Sequence, residues 1–331
     1  SFIQKMSSYP INVEIKTVKT YATTAPQLSL NPTPRIGTNL PAGLDAGVVT
    51  IELNTSMLLL PKVPMRKRTF DARVGFFANQ IDVFEEESQK SDTEIFAVRW
   101  KLEPKNADDA AKQKRGELIE PKKPIVYYID PATPIKWRKF IKQGIDDWQV
   151  AFEAAGWKNA IRGEYWPEND PTMSLEDARF SVLRYFAADI QNAYGPNVHD
   201  PRSGEILESH IGWYHNIMSL LRNWYLIQTA AVDPAARKKQ FDDNLMGELI
   251  RFVSSHEVGH TLGLRHNMGA STATPVEKLR DAAFQEKNGH TSSIMDYARF
   301  NYVAQPEDGV KHLFPRIGDY DKWAIKWGYS D

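Results

Sequence analysis

Residues 256–266 read His-Glu-Val-Gly-His-Thr-Leu-Gly-Leu-Arg-His, and no other stretch restricts this chain so tightly. Residues four apart on an α-helix share a face, so His256 and His260 can reach one common point. Glu257 follows the first imidazole and can approach that point without serving as a ligand. Gly263 can adopt a positive φ, which ends a helix sharply and returns His266 to the same place. Upstream, Leu245, Leu249, Phe252, His256 and His260 form one stripe at steps of three and four. The expected element is a helix whose apolar face runs into a buried but reachable trio of imidazoles. Three neutral imidazoles with a fourth position open to water are the donor set of a catalytic Zn2+ site.

The pattern His-Glu-x-x-His-x-x-Gly-x-x-His resembles the metzincin zinc endopeptidases. A second mark of that clan is the Met-turn, and Ser293-Ile294-Met295-Asp296-Tyr297 matches it, with Met295 29 residues after His266. The resemblance implies that Met295 forms a soft hydrophobic floor under the histidines without binding metal. In astacin-like and serralysin-like metzincins a tyrosine at the place of Tyr297 is a further zinc ligand that swings away and then stabilises the oxyanion. Residues 318–329 look like the C-terminal helix that closes such domains. The chain is similar to large secreted or periplasmic zinc metalloproteases of Bacteroidetes type, closely from about Pro124 to Tyr329 and thinly before that. A secreted, periplasmic or cell-surface location follows from this resemblance alone.

The fold class expected is α+β: a zincin-like catalytic domain with a mixed twisted sheet, an active-site helix and a C-terminal helix, preceded by a β-rich accessory domain. A chain of 331 residues has room for two domains. Residues 103–123 are rich in Lys, Glu and Asp and read as a solvated connector with a short helix near Asp108 to Lys114. The expected division is therefore an accessory domain at 1–105, a charged connector at 106–123 and a catalytic domain at 124–331. Ile11, Val13 and Ile15 alternate, as do Val49, Ile51 and Leu53, and Phe96, Val98 and Trp100. Pro and Gly punctuate Ala25 to Gly47 as turns. The basic cluster at 64–73 reads as a solvated loop; a sharper alternative brings Asp71 or a neighbour into the cleft, as a propeptide would.

In the catalytic part, Ile125 to Ile129 is a buried strand. One helix is expected from Thr133 to Gly156, with Pro134 at its first position and Trp137, Ile141, Ile145, Trp148 and Phe152 facing inward. Strands follow at 161–166, 180–187 and 206–214, with a turn at 200–204 and a helix over 220–231. The resemblance makes Asn192 to Val198 the sheet edge along which an extended peptide adds as a strand, with Ala193, Tyr194 and Gly195 as contacts. His199, His210 and His215 are ordinary polar residues or, less simply, a second metal site. His290 and His312 fall in no usable pattern.

A formal net charge of −1 gives no support to a nucleic-acid partner, and no apolar run is long enough to span a bilayer. There are no cysteines, which excludes disulfides, thiolate ligands and a cysteine-based latency switch. Ser1 opens the chain without a basic or apolar leader stretch, so a signal peptide is expected to be cleaved, left out of this sequence or absent, and the end at Asp331, just after the closing helix, suggests that further sequence was trimmed. Oligomeric state is not legible.

Zinc in such a site lowers the pKa of bound water and polarises a carbonyl. Glu257 is the expected general base, with Tyr297 an added oxyanion donor. The expected activity is hydrolysis of internal peptide bonds in a protein or peptide substrate. The alternatives are a catalytically silent or latent metzincin-fold peptide-binding protein, and a zinc hydrolase acting on a non-peptide amide or a glycan.

Overall fold

A computed structural model describes residues 1–22, 46–167 and 169–330. Most of the Pro- and Gly-punctuated stretch from Ala25 to Gly47 lies outside the described residues. The chain forms two compact units, Ser1–Leu60 with Met173–Arg179, and Pro61–Thr172 with Phe180–Asp331.

The first unit is built on an antiparallel sheet of β1 (Phe2–Ser8), β2 (Asn12–Ala22) and β3 (Val48–Leu58). The alternation of β-branched residues makes the strands, but the more deeply buried face of β2 is polar. Asn12 and Glu14 are buried, while Val13 and Ile15 are half-buried. Asn12 donates to Glu14 at 2.6 Å and to the Glu176 carbonyl at 2.8 Å, and accepts from the Ala178 amide at 3.0 Å. Asn54 and Ser56 also donate to Glu14, so the buried carboxylate is well supplied with partners.

The compact units divide after Leu60, whereas the accessory domain expected from the sequence runs to residue 105. The reason is packing. Phe76, Val98 and Trp100 are at most 9% exposed and belong to the core of the second unit. Within the stretch at 106–123, α1 (Ala107–Lys114) is capped by Asn106, whose side-chain oxygen accepts from the Asp109 amide. Strands β4 (Ala78–Val83) and β5 (Asp92–Ala97) form an antiparallel pair.

The second unit centres on a five-stranded sheet. Strands β7 (Ile125–Ile129), β8 (Ile161–Tyr165), β9 (Ser181–Phe186), β10 (Ala193–Tyr194) and β13 (His210–Tyr214) lie in the order β10-β13-β9-β7-β8. All pairings are parallel except that of β10, the edge strand nearest the site, which is antiparallel to β13. A smaller sheet joins β6 (Arg99–Trp100), β11 (Val198–His199) and β12 (Glu205–Glu208). The strand expected over 206–214 is thus two strands in two sheets. They part at buried Ser209, whose hydroxyl donates to the Pro196 carbonyl at 2.6 Å.

The helix expected over 133–156 is also two, α2 (Ile135–Asp146) and α3 (Gln149–Ala154). Pro134 holds the cap position and the Thr133 side chain makes no capping bond. The inward stripe is as expected, with Trp137, Ile141, Ile145, Trp148 and Phe152 all buried. The remaining long helices are α4 (Ile217–Thr229), α5 (Asp243–Thr261) and, after the short α6 (Ala282–Asn288), the closing α7 (Asp319–Tyr329). No described helix is long and apolar enough to cross a membrane.

Candidate metal centre

Helix α5 carries the first two histidines because its sequence starts and stops it cleanly. Asp242 accepts from the Asn244 and Leu245 amides at its N-terminus. At the other end Gly263 takes φ +98°, and a Cβ there would lie 2.2 Å from the Val98 carbonyl oxygen. The turn this permits brings His266 back against His260 and His256.

The Nε2 atom of His266 lies 3.2 Å from that of His256 and 3.0 Å from that of His260. Ligand atoms of the three rings all fall within 4.8 Å of one another, and among the described residues no other group of His, Asp or Glu converges in this way. Tetrahedral nitrogens bound to zinc at their usual distance would stand about 3.3 Å apart, close to this spacing.

The proton inventory also calls for a cation. His256 Nδ1 lies 2.8 Å from the Ile294 carbonyl and His260 Nδ1 lies 2.9 Å from the Leu264 carbonyl. A carbonyl only accepts, so each Nδ1 carries the hydrogen and each Nε2 presents a lone pair. The Nε2 of His266 can carry at most one hydrogen, which leaves lone pairs facing one another unless a positive ion sits between them. Burial, reinforced by the neighbouring imidazoles, pushes His256 down to about 3. Burial likewise takes His260 down to about 4 and lowers His266, so the rings are neutral donors at neutral pH.

Glu257 is 8% exposed and its carboxylate makes no hydrogen bond among the described residues. Burial pushes it up to about 7. It lines the same cleft as the three histidines, a cavity of about 680 Å³. Ala193, Tyr194 and Gly195 also line it. Gly195 lies so close to α5 that a Cβ would stand 2.3 Å from the Glu257 carbonyl oxygen.

Met295 is fully buried and fills the space over Gly259 of α5. The turn at 293–297 that carries it is pinned by Asp321 of α7. Ser293 donates to this carboxylate at 2.6 Å, and the Ile294 and Gly318 amides donate at 2.8 Å each. Ile294 is the residue whose carbonyl orients His256, so Asp321 acts on the metal site through one backbone unit. The Tyr297 ring centre lies 4.3 Å from that of His266, and its hydroxyl makes no hydrogen bond among the described residues.

Several supports of the site gave no recognisable signal in the sequence. Trp100 donates through its indole to the Thr261 carbonyl at 2.9 Å, and Tyr329 donates to the Leu262 carbonyl at 2.8 Å. These are the last carbonyls of α5, which the helix itself cannot satisfy. Trp148 donates to the Ser255 carbonyl at 2.8 Å. Phe77 belongs to the rim of the cleft, with its ring centre 6.0 Å from that of His260. Asp71 pairs instead with Arg73 and does not line the cleft. His199, His210 and His215 go to separate partners, Asn197, Glu208 and Tyr185, and form no second centre.

Residues 238–331 match the family described as Met-zincin. That segment holds α5, all three histidines, the turn at 293–297 and α7, so the C-terminal part of this chain is a metzincin-type domain. Residues 1–105 match a domain of unknown function (DUF5117). No curated protein and no solved structure matches the chain.

Proposed function

We propose that the protein is a zinc-dependent endopeptidase. The observation that carries this reading is the convergence of three neutral imidazole nitrogens beside a buried carboxylate that has no partner among the described residues. His256, His260 and His266 would hold the zinc, which when bound supplies Lewis acidity toward a carbonyl and a lowered pKa for water.

The chain's own groups divide the remaining tasks. Glu257 accepts the proton of the attacking water and delivers it to the leaving amine. Its isolation from other donors keeps the carboxylate free for that water. Tyr297 turns its unpaired hydroxyl toward the oxygen that gains charge. Met295 is the methionine of a Met-turn and holds the floor beneath the histidines. The edge strand β10 offers backbone donors and acceptors from Ala193 to Gly195 to an extended peptide.

The test is Glu257→Ala. The variant should retain one zinc per chain while cleavage of denatured protein falls about 100- to 10,000-fold. Turnover at the wild-type rate would remove Glu257 as the base. Tight peptide binding without any cleavage by the zinc-loaded wild type would favour the silent peptide-binding alternative.

A further inference from the structure

The hydrolytic reading gives no role to the arginine that lines the cleft beside Tyr297. Arg299 stands two residues after Tyr297, half-buried, with φ +58°. Non-glycine residues seldom hold this left-handed conformation, and those that do cluster at functional sites. The bend is held from behind, where buried His290 donates from Nε2 to the Arg299 carbonyl at 3.0 Å.

The guanidinium carbon lies 3.8 Å from the centre of the Trp224 ring and 4.1 Å from that of Tyr297. Two aromatic faces therefore fix its position while leaving its net charge unopposed. Among the described residues Arg299 makes no ion pair and no side-chain hydrogen bond. Burial lowers its pKa, yet a guanidinium stays protonated in any ordinary protein setting. Its in-plane donors therefore remain for a ligand.

The charge around it is one-sided. Among the described residues Arg265 also lines the cleft without an ion pair, and the sole carboxylate of the lining is Glu257, which is committed to the water. A zinc ion would add further positive charge. One ring, that of Tyr297, separates the guanidinium from His266, which places it within reach of a side chain adjoining the bond that is cut. A planar, pre-positioned fork of donors matches a carboxylate in two parallel hydrogen bonds.

We propose that Arg299 is a specificity-determining residue that binds a carboxylate of the substrate beside the scissile bond, so that peptides acidic at that position are the preferred class. The proposal rests on the endopeptidase reading for its meaning in cleavage, but not for carboxylate binding itself. An Asp or Glu side chain and a free C-terminal carboxylate share this chemistry.

The test has a cleavage arm and a binding arm. In the first, the zinc-loaded protein digests a mixed peptide library, and cut sites are read by mass spectrometry. Asp and Glu should be enriched at one subsite. Arg299→Gln should lower kcat/KM for such peptides about 10- to 100-fold while neutral peptides change little. Arg299→Glu should turn the preference toward Lys and Arg. In the second arm, labelled peptides bearing Glu, Gln or Lys at that subsite bind the Glu257→Ala variant, with and without Arg299→Gln. Each peptide is made as a free acid and as an amide. Loss of affinity on amidation assigns the C-terminal carboxylate; loss on Glu-to-Gln exchange assigns the side chain. Arg299→Lys, with melting temperature and zinc content measured for each variant, separates a folding defect from lost recognition.

Cleavage with no acidic preference, unchanged by Arg299→Gln in variants that fold and hold zinc, overturns the role of Arg299 and leaves the protease standing. Arg299-dependent binding of acidic peptides without any cleavage does the reverse.

Discussion

Replacing Asp321 with Ala should damage a metal site that Asp321 never touches. The carboxylate is fully buried and accepts from Ser293, Ile294 and Gly318. Each buried donor stripped of its acceptor costs about 1–3 kcal/mol. Relief from burying a carboxyl group offsets part of that, leaving a net loss of about 3 kcal/mol. In a unit of this size each kcal/mol moves the melting temperature by about 2–4 °C, so a fall of about 6–12 °C is expected. Because Ile294 also orients His256, zinc affinity should weaken about tenfold, as losses of supporting contacts commonly do. Thermal unfolding followed by circular dichroism and competitive zinc titration read the two effects. A variant that melts with the wild type and binds zinc equally well would refute the coupling. Asp321→Asn adds a pH test. Burial pushes Asp321 up to about 7, above its unfolded value, so the folded protein holds this proton more tightly. That contribution is complete below about pH 4 and is lost as pH rises through about 7. The stability of wild type relative to Asp321→Asn should fall across this window, and a flat difference would contradict the assignment.

Gly263→Ala should cost about 2–4 kcal/mol in chemical denaturation, since it combines an unfavourable φ with a close approach to the Val98 carbonyl. Wild-type stability in that variant would mean the turn is not as drawn. Trp100→Phe keeps an aromatic ring but removes the donor to Thr261 and leaves a small cavity in place of the larger indole, and should cost about 2–3 kcal/mol while zinc stays bound. Tyr297→Phe should lower kcat about 10- to 100-fold with little change in zinc content. An unchanged kcat would remove the hydroxyl from the chemistry.

Much of the site was readable because its parts are local. Helix spacing places His256 and His260 together, and a glycine two turns on explains the return of His266. Met295 and Tyr297 were singled out by their likeness to a known turn, and the structure places Met295 against Gly259 and Tyr297 beside His266. What supports them was not readable, because those contacts join residues far apart in sequence. Nothing near Trp100 marks it as a donor to Thr261, and nothing in α7 marks Asp321 as the acceptor for the turn at 293–297. The break between α2 and α3 escaped notice because the inward stripe runs on unbroken through Trp148. The compact units divide elsewhere than the expected domains for a related reason. Charge at 106–123 looked like a linker, while the decisive fact was the burial of Phe76, Val98 and Trp100 in the second unit. In β2, alternation identified a strand but not its inner face, because a satisfied polar network around Glu14 took the buried side.

The central claim is that three histidine nitrogens meet at one divalent ion. X-ray absorption at the zinc edge on the reconstituted protein tests it most directly. The account predicts one zinc per chain, with imidazole nitrogens at about 2.0 Å. The imidazole signal should decline, or the metal be lost, in His266→Ala. A chain that takes up no zinc, or one whose zinc environment is untouched when His256, His260 and His266 are all replaced, would contradict it.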